Sequence, residues 1–325
     1  MAKMTGFYQN TERTVTGFRS LDLAFPQYSK DGKPKLGYPN LHTLVYGKKG
    51  EGKSLFCIEI GGIIAQAQGK NIAYLPNEGF DPEWYDKLLD SVGFDGEFKV
   101  ELGEETDEKN IDNMLEDLSK EKFAIGILDT IAGLQSTNEL SAESVVENQM
   151  GRRAQLTAKL YRHLNHQNLW RETQFTFFGI THELKPFELY SESTKPGGDT
   201  KGYLSRIWIQ ISREKWDKES KLVLEDGSFL MRGTVQQFNY GKKGKKFFVF
   251  VLSDFGFHQG MTAVYDCLEY GIAKRKTGYI VLSDTVKYRF DELLGYAHAG
   301  EDAVFQPFMD ALQDVYGVVQ KVEEE

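Results

Sequence analysis

The chain has 325 residues, 40% of them hydrophobic and 27% charged, and a formal net charge of −9. That composition suits an ordinary globular protein, long enough for one large α/β domain and a smaller appendage. It excludes a surface that is cationic all over, though not a local cationic groove, and no stretch approaches the roughly eighteen uncharged apolar residues of a membrane span.

In chain order, residues 1–12 are polar around Phe7 and Tyr8, and Met1-Ala-Lys-Met has no apolar run behind it, so no signal peptide is read there. Val15, Phe18, Leu21, Leu23 and Phe25 suggest a turn into a short helix, and Tyr28 to Pro39 reads as an exposed Gly/Pro/Lys loop. Leu41 to Tyr46 is a β-branched, apolar strand, and Leu55 to Gln68 is an Ala-rich helix. Asn71 to Leu75 is the next strand. Asp81 and Pro82 then open a helix to Ser91, with Asp at the N-cap and Pro in the first turn. Lys109 to Ser119 has helical spacing, Phe123 to Asp129 is a buried strand, Gln149 to Asn168 a long helix, and Gln174 to Thr181 another strand. Strands alternating with helices predict a parallel sheet covered on both faces. Leu204 to Ser212, Val223 to Leu224, Met231 to Phe238 and Lys246 to Leu252 then read as antiparallel strands extending it. A helix from Thr262 to Tyr270, a strand pair within Gly278 to Leu282 and two helices complete a compact tail. Cys57 and Cys267 lie far apart without metal-ligand spacing, and read as reduced, buried thiols of a cytoplasmic protein.

The segment between the first strand and helix carries chemistry: Gly47, Lys48, Lys49, Gly50, Glu51, Gly52, Lys53 and Ser54, running into Leu55. Glycines let backbone N–H groups converge on a phosphate, and the helix N-terminus adds its positive dipole end. Lys53 is placed to reach the β and γ oxygens of ATP, and the Ser54 hydroxyl to hold Mg²⁺. Asp129, ending an apolar strand, is the expected second acid, orienting Mg²⁺ through a water. Glu78 ends the strand after the loop helix, expected beside the carboxyl edge of the first strand, where a carboxylate can polarise a water for in-line attack. His182 ends another strand, where an imidazole can hydrogen-bond the γ-phosphate.

Two polar stretches suit single-stranded nucleic acid, with cations for phosphates and flat side chains for bases. Leu134 to Gln149 leads into Met150, Gly151, Arg152 and Arg153, and Arg152 and Lys159 share a helix face with Arg162 adjoining. Glu183 to Thr200 carries Lys185, Phe187, Tyr190 and Lys195 before the flexible Gly197 and Gly198. The acidic end Glu323 to Glu325 reads as a solvated terminus.

Together these residues resemble the RecA-type recombinases, nearest their phage branch. The resemblance covers nearly the whole chain: Thr14 to Ala24, the phosphate loop, Glu78-Gly-Phe-Asp-Pro82, the strand to Asp129, the Met150-Gly-Arg helix, Gly179-Ile-Thr-His182, Gly197-Gly198, and Gly260 to Ile272 with Gly278-Tyr279. The Thr-His pairing is that of the phage branch; bacterial RecA has glutamine at the matching place. The resemblance implies an α/β fold: a RecA-like P-loop NTPase core at 36–258, mostly parallel with an antiparallel extension, behind an N-terminal oligomerisation segment and linker at 1–35. A small α+β C-terminal domain at 259–325 would follow. It also implies an ATP- and Mg²⁺-dependent, DNA-stimulated ATPase of prokaryotic or phage-infected cells. Such a protein forms helical filaments on single-stranded DNA, pairs that strand with a homologous duplex, and takes single-strand-binding and loader proteins as further partners.

By position, Glu78 would activate the water, His182 would sense the γ-phosphate, and Asp81 with Trp84 or Tyr85 would lie near the adenine. The loop before Met150 and the loop from Glu183 to Thr200 would bind DNA. Phe7 would dock into a neighbouring subunit, although Asn10 stands where other branches keep a small residue. One departure concerns the basic residues that relatives extend to the neighbour's ATP: here the stretch reads Gln236-Gln-Phe-Asn239, and Lys242, Lys243, Lys245 and Lys246 offer charge from a shifted position. Two other readings share the core, a hexameric helicase motor and a regulatory paralogue that binds ATP without exchanging strands.

Overall fold

Apolar runs bounded by turns pair into one nine-stranded sheet in the computed structural model, which describes residues 12–28, 34–77, 79–101, 107–120, 122–134, 149–170, 175–182, 205–217, 220–238 and 242–313. In chain order its strands are Thr43–Gly47 (β1), Asn71–Pro76 (β2), Phe98–Val100 (β3), Phe123–Asp129 (β4), Thr176–His182 (β5), Ile207–Glu214 (β6), Phe229–Phe238 (β7), Lys246–Leu252 (β8) and Gly256–Phe257 (β9). Their spatial order is β9-β8-β7-β6-β1-β5-β4-β2-β3. Neighbours from β6 to β3 run parallel, and those from β6 out to β9 antiparallel. The molecule is therefore an α/β protein built on a large, mostly parallel sheet.

Eight α-helices flank it among the described residues: Arg19–Leu23 (α1), Lys53–Gln68 (α2), Pro82–Ser91 (α3), Asp107–Ser119 (α4), Gln149–Trp170 (α5), Gln259–Glu269 (α6), Phe290–His298 (α7) and Gln306–Gln313 (α8). Successive strand side chains point to opposite faces, so β1, β2, β4 and β5 each feed two cores. Val45, Ile72, Tyr74, Ile125, Ile127, Phe178 and Ile180 pack with α1, α2 and α3. Leu44, Ala73, Leu75, Phe123, Leu128 and Phe177 pack with α4 and α5. Burial of a ring such as Phe177 or Phe178 contributes about 2–3 kcal/mol, which is why these strands carry almost no polar residue.

The antiparallel strands divide differently. Met231, Val249 and Val251 join the first core, whereas Trp216, Leu230, Phe250 and Leu252 build a third with α6, α7 and α8. A three-stranded sheet, Lys274–Lys276, Tyr279–Val281 and Lys287–Arg289, sits on that third core through Ile280. Its register aligns Lys274 with Val281 and Lys287, and Lys276 with Tyr279 and Arg289. Period-two alternation puts those six residues on one face, and Arg289 lies over the Tyr279 ring at 5.3 Å. Arg275, on the other face, donates to the Trp216 carbonyl at 2.7 Å. Ser20 N–H of α1 donates to fully buried Asp266 of α6 at 2.9 Å. Burial raises that carboxyl to about 7, against the pull of the Ser20 bonds.

Several expectations change. Tyr38 is not in an exposed loop: it is fully buried, its hydroxyl paired with Thr43 at 2.7 Å. Arg13 holds the chain around it by donating to the Phe25 and Gly37 carbonyls. Val223 and Leu224 lie in the β6–β7 connection as bend and irregular chain, not as a strand, and the Ser228 carbonyl takes the Leu224 N–H across a tight turn. The tail has three strands where two were expected, and β3 was not foreseen, being short and half-buried. Most consequentially, β2 does not adjoin β1; β5 and β4 stand between them. Cys57 and Cys267 are both free and buried. No helix among the described residues is long and apolar enough to cross a membrane.

Candidate functional site

Parallel pairing puts the carboxyl ends of β1, β5, β4 and β2 on one rim, and the glycine-rich loop leaves β1 there. Gly47 ends the strand where a Cβ would lie 2.2 Å from the Ile211 carbonyl oxygen of β6, so only hydrogen fits. Gly52, the residue before α2, holds φ +89° and offers no side-chain cap. A left-handed turn there is costly for any other residue, and it leaves the first-turn amides of α2 facing outward from the rim, as an anion site needs. Lys53 is 5% exposed and its ammonium donates to the Lys48 carbonyl at 2.7 Å. Lys48, Lys49 and Gly50 are exposed, Glu51 and Ser54 half-buried, and Leu55 buried.

His182 pairs with Gly47 in the β5–β1 register, and Thr181 with Tyr46, which puts the histidine beside the first residue of the loop. Asp129 ends β4, buried, with the Tyr74 hydroxyl 3.4 Å from its Oδ2. Burial first, then Asp129 and Tyr85, push the Tyr74 phenol far up, so it stays a neutral donor. The Cys57 thiol on α2 is raised by burial and by Asp129 and lowered by Lys53, so both charges act on one buried atom. Loop lysine and strand-end acid therefore occupy one neighbourhood.

The chain leaving β2 is fastened to the same acid: Asn77 N–H donates to the Asp129 carbonyl at 2.5 Å, and Asn77 Nδ2 to the Thr130 carbonyl at 3.2 Å. Thr130 Oγ1 in turn accepts from Gly133 N–H at 3.2 Å. Glu78 itself lies outside the described residues, directly after this anchored asparagine. Its strand reaches the expected rim but stands two strands farther from β1 than expected, beside β4. Asp81 is the N-cap of α3, accepting from Trp84 N–H at 3.3 Å. Tyr85 is buried with its hydroxyl 3.1 Å from Tyr74, and Trp84 is half-buried against it. Of those three, Asp81 and Trp84 present surface.

Sequence reasoning missed what walls the loop. From β6, Arg213 N–H donates to the Glu51 carboxylate, and the Arg213 guanidinium donates to the Gly50 carbonyl at 2.6 Å. That guanidinium lies over the Phe229 ring of β7 at 4.5 Å. Met231 stands so close that a Cβ on Gly52 would lie 2.7 Å from its Cε. Register alone could have found Arg213, because β6 continues past Gly47 once Gln210 is paired with Tyr46.

Of the expected nucleic-acid residues, Lys159 and Arg162 are exposed on α5, opposite buried Leu156, Leu160 and Leu164. Met150, Gly151, Arg152 and Arg153 belong to the backbone of the same helix; their side chains lie outside the described residues, as do Lys185, Phe187, Tyr190, Lys195, Gly197, Gly198 and Phe7. Lys242, Lys243 and Lys245 lie in the β7–β8 connection and Lys246 opens β8, and Lys245 is the least exposed of them. Ile207 pairs with both Thr43 and Phe238, so this turn stands at the opposite rim from the chain's own phosphate loop. Among the described residues no cluster of three or more His, Cys, Asp or Glu is placed to hold a metal unaided. Ser54 and Asp129 are hard oxygen donors, of the kind that suits Mg²⁺ held jointly with substrate phosphates. No protein-family model matches the chain, and no curated protein matches it.

Proposed function

We propose that the chain is a RecA-like, DNA-dependent ATPase that assembles on single-stranded DNA as a homologous-recombination filament. The observation that carries the reading is the register of His182 against Gly47, which sets the strand-end imidazole beside the first residue of the loop. It supports a triphosphate gripped at the rim with a strand-end imidazole next to its terminal phosphate.

In that reading the loop amides and Lys53 bind the β and γ oxygens, and electrostatic positioning does most of the catalytic work. Mg²⁺, held by Ser54 and through water by Asp129, would neutralise phosphate charge. Glu78, next to Asn77, orients the attacking water and takes its proton as ADP and phosphate form. His182, hydrogen-bonded to the γ-phosphate, reports its presence to the segment that follows. Asp81 and Trp84 flank the base. The hairpin lysines 242–246, at the far rim, suit the neighbour's nucleotide rather than their own. Lys159, Arg162 and the cationic face of Lys274, Lys276, Lys287 and Arg289 support phosphate-backbone binding within an otherwise acidic protein.

Imaging of the protein with single-stranded DNA and a non-hydrolysable ATP analogue tests the reading. Helical filaments are expected. Hexameric rings would favour the helicase motor, and neither form would favour the regulatory paralogue.

A further inference from the structure

We infer that Arg213 is a positioning residue of the phosphate loop, setting its central arch from a strand more than a hundred residues away in sequence. The inference rests on the nucleotide reading above. An anion site built from main-chain N–H groups works only when those groups converge before the ligand arrives. Local sequence fixes the two ends of this loop, Gly47 in β1 and Lys53 in α2. The middle residues Gly50 and Glu51 have no such element to hold them.

Arg213 holds both. Its N–H donates to the Glu51 carboxylate, which ties down the one acid in a loop meant for a polyanion. Its guanidinium donates to the Gly50 carbonyl at 2.6 Å, and stacking over Phe229 at 4.5 Å fixes the angle of that donor. The Gly50 carbonyl turned toward Arg213 keeps its oxygen from facing the phosphates. Gly50 holds φ +80° with open space where a Cβ would stand, so no packing contact of its own fixes the arch. The side chain acts through the loop and need not touch the ligand.

Arg213→Met keeps the length and the main-chain N–H that reaches Glu51, but removes the guanidinium that donates to the Gly50 carbonyl. Calorimetric titration with MgATP, beside the parent, is expected to give a Kd about tenfold to a hundredfold weaker, the factor for losing a charge-assisted hydrogen bond. Arg213→Lys, which keeps a charged donor, is expected to recover most of it. A merely structural role would lower the melting temperature without moving Kd, and lysine would not rescue it. Phe229→Leu gives a second reading that does not need Arg213→Met to fold: withdrawing the ring is expected to weaken binding about threefold or more. Parental affinity in Arg213→Met, or in Phe229→Leu should the former not fold, overturns the inference. A parent chain that binds no ATP overturns the nucleotide reading and this inference with it. A parent that binds, is silenced by Lys53→Ala and is matched by Arg213→Met overturns this inference alone.

Discussion

The parallel and antiparallel halves of the sheet make their contributions to the candidate site in different ways. From β1 to β2 each strand is apolar on both faces and ends in a residue with chemistry: Gly47, His182, Asp129, and Asn77 just beyond Pro76. Strand geometry alone brings them to one rim. From β6 to β9 no strand end announces a role, yet Ile211, Arg213, Phe229 and Met231 form the wall against which the loop is shaped. A phosphate-loop motif therefore specifies a turn, and distant strands decide how tightly that turn is set. The antiparallel half also carries the third core, whose attachment to α1 uses a buried carboxyl where the parallel half uses apolar packing.

The largest expected effect probes that attachment. Asp266 is raised from 3.8 to about 7 by burial. Well below pH 3.8 the folded and unfolded chains both keep the proton. As pH rises the unfolded carboxyl ionises first, so the native state is penalised progressively up to about pH 7 and by a constant amount beyond it. At about 1.36 kcal/mol per pK unit the full penalty is roughly 4 kcal/mol. Asp266→Asn still accepts from Ser20 N–H and escapes the ionisation, so its stability relative to the parent, from urea unfolding, rises across this window. A difference that stays flat between pH 4 and pH 8 would show that the carboxyl ionises freely in the fold.

A smaller pair of effects sharpens the contrast between wall and arch. Gly47→Ala drives a methyl into the Ile211 carbonyl at 2.2 Å, backbone against backbone, and is expected to cost about 3 kcal/mol of unfolding free energy. Gly50→Ala meets nothing within 4 Å at φ +80°, and only conformational strain of about 1 kcal/mol is expected. Equal losses in the two variants would mean that β6 does not confine the loop.

Most of the parallel half was legible because its signals are local. Phe123–Asp129 and Lys246–Leu252 have the bounds read from sequence, and Asp81 caps α3 with Pro82 in its first turn. Three things were not legible. Spatial strand order is set by crossovers, so nothing in the run Asn71–Pro76 says that β4 and β5 separate it from β1. Tyr38 sits among turn-forming residues, and its burial depends on Thr43 and Phe25 arriving from either side. Arg213 lies just past the strand read to Ser212 and carries no motif, and only pairing places it beyond Gly47. Within the candidate site, motif and strand end singled out Lys53, Asp129 and His182, whereas Tyr85, offered with Trp84 as a neighbour of the adenine, packs inward on Tyr74.

The most direct measurement of the central claim is equilibrium binding of MgATP to the parent chain and to Lys53→Ala, each checked for native melting. The expected result is saturable binding to one site per chain, weakened by about a hundredfold or more when the buried ammonium is removed. A folded Lys53→Ala that binds ATP as tightly as the parent, or a folded parent that binds none, would contradict a phosphate grip at this rim.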